Sequence, residues 1–77
     1  MKKLDMKSTG LAIKRKCLEF GYDQKELSRL FDVTLTTPYL WFNGDVLPRI
    51  EHLASLCDLC GCKMEDLLVF ESGEEEE

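Results

Sequence analysis

The residues with the most reactive chemistry are Cys17, Cys57, Cys60, Cys62 and His52. Cys57, Cys60 and Cys62 form a C-x-x-C-x-C run. Three thiolates, with Cys17 or His52 as a fourth ligand, have the donor types of a tetrahedral zinc site. An even cysteine count also permits two disulfides, which persist in oxidising compartments. No apolar run that would make a secretion signal follows Lys2-Lys3. The third use is the plainest, because free cysteine packs as a small buried hydrophobe. Cys57 and Cys60, three residues apart, share one helical face and suit that use. For catalysis the chain offers little. His52 has no nucleophile or acid placed to work with it, and Asp45 and Asp58 read as surface charges. No phosphate loop or carboxylate pair is evident. The sequence predicts neither an enzyme nor a bound cofactor.

Charge points elsewhere. Residues 1–20 carry six Lys/Arg against two Asp/Glu, residues 21–50 three against four, and residues 51–77 one against nine. The net of −5 is held by the last seven residues, ESGEEEE, which contain five glutamates. Without them the chain is neutral. Such a like-charge run is expected to be a disordered tail over 71–77. No stretch approaches the roughly 20 apolar residues of a membrane helix, and a cytoplasmic location is expected.

Between Arg29 and Arg49 there is no cation, and here lies the stretch TLTTPYLWFNG, residues 34–44. Threonine can hydrogen-bond to phosphate or a base edge, and its methyl can touch thymine. Leu35, Tyr39, Leu40 and Phe42 offer apolar contact. The same segment therefore suits a nucleic-acid surface or a protein-binding patch.

Short helices must position these groups. A first helix is expected to be capped by Ser8 or Thr9, with Leu11, Ile13, Cys17 and Phe20 as its apolar stripe, and to stop at Gly21. A second opens on Asp23 with Glu26 at capping-box spacing, buries Leu27, Leu30 and Phe31, and turns at Asp32-Val33, because Asp tolerates the left-handed conformation. A third follows Thr34, Thr36 or Thr37 as cap, with Pro38 in the first turn, where a missing N–H costs nothing. Pro48 starts a fourth, whose stripe is Ile50, Leu53, Ala54, Leu56, Cys57 and Cys60, ended by Gly61. A fifth covers Met64 to Val69, with Leu67 and Leu68 inward. No strand alternation or internal repeat is present. The expected fold is all-α, five helices over residues 8–70 in one domain.

Residues 10–70 resemble the lambda-repressor-like, or XRE/Cro-type, helix-turn-helix family. The match is carried by Ile13, Gly21, Gln24, Glu26-Leu27, Phe31, Val33-Thr34, Trp41, Asn43-Gly44, Leu47-Pro48, Leu53, Gly61 and Leu67. Its most specific part is W-F-N-G-D-V-L-P-R-I-E-H-L, against a family pattern W-E-N-G-x-x-x-P-x-x-x-x-L. The resemblance implies that residues 23–31 are the first helix of the motif and that 34–43 hold the recognition helix, laid in the major groove. Thr34, Leu35, Thr36, Thr37, Tyr39 and Leu40 would then face the groove. Gln24 would sit at its edge, and Asn43 and Gly44 would approach phosphate. Trp41 would fill the core beneath. Lys14, Lys16, Lys25 and a Lys2-Lys3-Lys7 arm would neutralise phosphates. His52 matches an exposed position. The cysteines match core positions, so their burial is expected and no metal. Pro38 departs from the family, standing where isoleucine or valine is usual.

The function expected from this resemblance is a sequence-specific transcriptional regulator, a small repressor. It would bind double-stranded DNA as a homodimer, because one recognition helix reads only a few base pairs. The alternative is a protein–protein adaptor on the same fold, contacting its partner through Leu35, Tyr39, Leu40 and Phe42.

Overall fold

The structure, a computed structural model, describes residues 2–71 of the 77-residue chain. The acidic run expected to be a tail lies outside the described residues from position 72 onward. Five helices follow in order: α1 (Met6–Glu19), α2 (Gln24–Phe31), α3 (Thr36–Asn43), α4 (Ile50–Cys60) and α5 (Met64–Leu67). Among the described residues there is no strand beyond a single antiparallel bridge between Leu4 and Phe70.

That bridge moves the start of the folded unit. Residue 8, expected as the domain boundary, falls inside α1. The helix is capped by Asp5 rather than by Ser8 or Thr9, and the Asp5 carboxylate accepts the Ser8 N–H at 3.0 Å. This bond holds the Asp5 carboxyl below its ordinary value. The Asp5 N–H donates to the Val69 carbonyl at 2.7 Å, and the Glu71 N–H to the Lys3 carbonyl at 2.7 Å. Thr9 is buried, and its hydroxyl serves the same pairing. It accepts the Val69 N–H at 2.9 Å and donates to the Val69 carbonyl at 3.3 Å. A buried hydroxyl and a backbone amide, sixty residues apart, thus satisfy each other.

The core holds Ile13, Cys17, Leu27, Trp41, Leu53, Leu56, Cys57, Cys60 and Leu67. It is narrower than the apolar periodicity suggested. Leu11, Phe20, Leu30, Ile50 and Ala54 are exposed, Ile50 at 65%. A helix among only four others presents one stripe to the core, and its flanking apolar positions stay in solvent. Pro48 is buried but sits two residues ahead of α4, which begins at Ile50 without a side-chain cap. The last helix stops at Leu67, after one turn: Leu68 is extended, and the Asp66 carboxylate takes the Lys63 N–H at 3.0 Å.

Two places fix α3 in this frame. At its end, Gly10 of α1 lies directly against Gly44. A methyl group added to Gly10 would stand 2.6 Å from the Gly44 nitrogen and 2.7 Å from the Trp41 carbonyl oxygen. One added to Gly44 would stand 2.5 Å from the Met6 carbonyl oxygen. Gly44 also has a φ of 77°, in the left-handed region. At its start, α2 hands the chain over through a locked turn. Asp32 takes φ 54°, the Val33 N–H donates to the Ser28 carbonyl at 3.1 Å, and the Ser28 hydroxyl donates to the Val33 carbonyl at 2.6 Å.

Candidate nucleic-acid interface

The stretch at 34–44 is a two-turn helix with one side inward. Thr36 is its first residue, so neither Thr36 nor Thr37 caps it. Leu35 holds the cap position and makes no side-chain cap bond. Pro38 falls in the first turn as expected. The Thr34 carbonyl, which an N–H at position 38 would otherwise approach, instead accepts the Thr37 N–H at 3.1 Å. The proline therefore leaves no backbone acceptor orphaned. Its ring is buried, as is Trp41 three residues on at 2% exposure. Trp41 meets Phe31 edge-on at 5.6 Å between ring centres and His52 at 5.4 Å, and His52 meets Phe31 at 5.2 Å. His52, expected to be exposed, is half-buried in this aromatic cluster.

With Pro38 and Trp41 inward, the opposite side of α3 is turned to solvent. Thr34, Leu35, Thr36, Tyr39 and Asn43 are exposed, Leu35 at 48% and Tyr39 at 50%. Thr37 and Leu40 are half-buried. The Thr34 and Thr37 hydroxyls stand 3.4 Å apart, and one donates to the other. Phe42 is partly buried against the core, so it is not a free member of an apolar patch.

Gln24 joins the two helices of the motif. Its side-chain amide donates to the Leu35 carbonyl at 2.8 Å. One N–H of that amide is thereby spent on positioning, while its oxygen and second N–H stay available. Lys25, the next residue, is exposed. Gln24, Thr34, Leu35 and Thr37 are thus assembled at the junction of α2 and α3, with Thr36, Tyr39, Leu40 and Asn43 along α3. Lys14 is exposed but stands on α1, one turn beyond Gly10. It belongs to a separate helix rather than to the motif.

The cations differ from the expected arm. Lys7 is part of the first turn of α1, and its Cα would lie 2.8 Å from a methyl on Gly44. It is therefore an exposed positive charge beside Asn43-Gly44 at the end of α3. Lys3 is tied by its backbone to Glu71. Lys16 pairs with Glu19 at 3.9 Å, and Arg29 with Glu26, which leaves neither fully free. The placement of Lys7 depends on the Gly10–Gly44 contact, and two glycines at no helical spacing from one another give little sign of that contact.

An exposed helix held by a four-residue turn against a second helix, with threonine hydroxyls, an amide and nearby lysines around it, is the geometry of a groove-reading motif. A family model for the Cro/C1-type HTH DNA-binding domain matches residues 1–73. The chain belongs to this family. The all-α helix-turn-helix fold expected from the sequence is the one observed. The comparisons with curated proteins and with solved structures returned no match.

As a Cro/C1-type domain the protein is a DNA-binding module of a class that typically has no enzymatic activity. No helix among the described residues is long and apolar enough to cross a membrane. A cleft between α2 and α4 is lined by Leu30, Phe31, His52, Ser55, Asp58 and Leu59. Its serine, histidine and aspartate stand at successive three-residue steps of α4. The cysteines Cys17, Cys57 and Cys60 are buried, and Cys62 is half-buried. Burial pushes the Cys17 thiol up to about 12 and the Cys57 thiol up to about 11, and raises that of Cys60. Metals bind the thiolate. Among the described residues no group of three or more His, Cys, Asp or Glu is arranged to hold a metal ion.

Proposed function

We propose that the protein is a sequence-specific transcriptional regulator of the small repressor type, acting in the cytoplasm as a homodimer on double-stranded DNA. The observation that carries this reading is the outward face of α3 on a Cro/C1-type scaffold. Thr34, Leu35, Thr36, Thr37, Tyr39 and Leu40 face the groove. Gln24 and Lys25 flank its edge, and Asn43 stands at the phosphate-facing end of the helix. Lys14 neutralises backbone charge from α1. Threonine hydroxyls serve either base or phosphate, while the Leu35 side chain and the threonine methyls suit thymine methyl groups. The readout is consequently biased towards A·T-rich half-sites. Two copies are needed because eight residues of helix span only a few base pairs.

A salt titration of binding to random duplex DNA tests the charge component. Affinity falls with salt at a logarithmic slope of about 0.9 per neutralised phosphate. No binding at low salt refutes the reading. A second reading, the protein–protein adaptor, is favoured by the half-exposed Leu35 and Tyr39 and by the absence of any cation from residue 30 to 48. Lys14→Ala combined with Lys25→Ala separates the two: the regulator loses binding to random DNA at low salt, while the adaptor keeps its partner.

A further inference from the structure

The C-terminal end of α4 is built in a way that DNA binding does not use. The Cys62 N–H donates to the Cys57 carbonyl at 3.0 Å, and the Gly61 N–H to the Asp58 carbonyl at 3.4 Å. Gly61 between them has φ 59°. These two bonds and the left-handed glycine define a Schellman motif, in which the residue after the glycine folds back onto the side chain five positions earlier. That contact is ordinarily a hydrophobic clasp. Here both members are cysteines, so the clasp sets the Cys62 side chain against that of Cys57.

Cys57 and Cys60 are a poorer pair, although they look like one in the sequence. Helical neighbours three apart keep their Cβ atoms about 5–6 Å from each other, whereas a disulfide needs about 3.5–4.5 Å. Their union would unwind the last turn of α4. Cys17 and Cys60 share the core, but at 1% and 2% exposure they are sealed from solvent. Cys62 is the half-exposed thiol of the four.

We propose that Cys57 and Cys62 form a thiol-modification site that takes up hydrogen peroxide and closes to a reversible disulfide, with Cys62 as the reacting thiol and Cys57 as the resolving one. The Cys62 sulfur attacks the peroxide, the O–O bond breaks, and a sulfenic acid and one water result. The Cys57 sulfur then displaces hydroxide from the Cys62 sulfur. The S–S bond forms, and the Cys57 proton leaves with the hydroxide as a second water. Two thiols are oxidised by two electrons and one peroxide is reduced to two waters. Burial of Cys57 keeps its thiolate scarce, so the first step belongs to Cys62. The new bond fastens the residue leading into α5 to the last turn of α4.

The test is intact mass spectrometry of the folded full chain after stoichiometric hydrogen peroxide, then thiol alkylation under denaturing conditions. The expected product is about 2 Da lighter, has lost two of its four alkylatable thiols and returns to the starting mass with dithiothreitol. Cleavage ahead of Asp58 separates Cys57 from Cys62, so the two fragments stay joined until reduced, and tandem spectra place the link on Cys62. Cys62→Ser and Cys57→Ser each abolish the mass loss. Because Cys62 is half-exposed, its serine variant folds, and circular dichroism checks this. Persistence of all four thiols overturns the proposal. So does oxygen addition without mass loss, or a link placed on Cys17–Cys60 or Cys57–Cys60.

Discussion

Gly10→Ala is the substitution whose outcome is most closely set by the geometry. In an isolated helix the change would help, since alanine is favoured over glycine by about 0.8–1 kcal/mol. Here the added methyl meets only backbone: the Gly44 nitrogen at 2.6 Å, the Trp41 carbonyl oxygen at 2.7 Å and the Gly44 Cα at 2.8 Å. Ordinary contact begins near 3.4 Å, so α1 and the end of α3 must part by most of an ångström. No rotamer can relieve this, because no side chain is among the three atoms. Overpacking of this kind costs about 1–3 kcal/mol. Less the helical gain, the variant should lose up to about 2 kcal/mol. For a domain of this size that lowers the melting temperature by up to roughly 16 °C. Thermal unfolding followed by circular dichroism at equal protein concentration measures it. A raised melting temperature would show that the helices can part freely and that the glycine contact does not position α3.

Three further outcomes follow from other contacts. Thr9→Val keeps the side chain's shape but removes the hydroxyl that serves Val69, and should lower stability by about 1–3 kcal/mol; an unchanged urea midpoint would show that the amide finds another partner. The Asp5 carboxyl is held below its ordinary value in the folded chain, so its contribution is present above pH about 4, the unfolded carboxylate value, and fades as pH falls through the folded value. Wild type should accordingly lose more melting temperature between pH 6 and pH 2 than Asp5→Asn does, and parallel curves would remove Asp5 from the acid response. Lys7→Ala, beside Gly44, should lower the salt slope of DNA binding by about 1, whereas Ala at the exposed Glu65 of α5 (Glu65→Ala) should leave the slope as it is.

The parts of the fold that were legible in the sequence are those decided within a few residues. Asp23 caps α2 through the Glu26 N–H at 2.9 Å, and Asp32 takes the left-handed turn, because both depend on local hydrogen bonding and side-chain size. The inward Trp41 was likewise expected, though from the family resemblance that W-F-N-G and Leu47-Pro48 carry rather than from spacing alone. What escaped depends on distant partners. Thr9 has the type of a helix cap, but its hydroxyl is used by Val69, and this leaves the cap to Asp5. Ile50 and Ala54 keep the helical period yet face solvent, since periodicity sets the direction of a stripe and not its width. His52 is drawn into the aromatic cluster by Phe31 and Trp41, neither of which lies near it in the sequence. On the candidate interface, residue types suggested which side chains could meet DNA. The Gln24 bond to Leu35 and the position of Lys7 needed coordinates.

The pairing of Lys3–Asp5 with Val69–Glu71 brings the first and last described segments out of the body side by side. A few glycines and serines would suffice to splice one to the other, and Gly21, with open space around it, offers a place to cut the resulting ring. A permuted chain beginning at Tyr22 would open on α2 and α3 and finish with α1, its backbone order rewritten and the exposed side of α3 untouched.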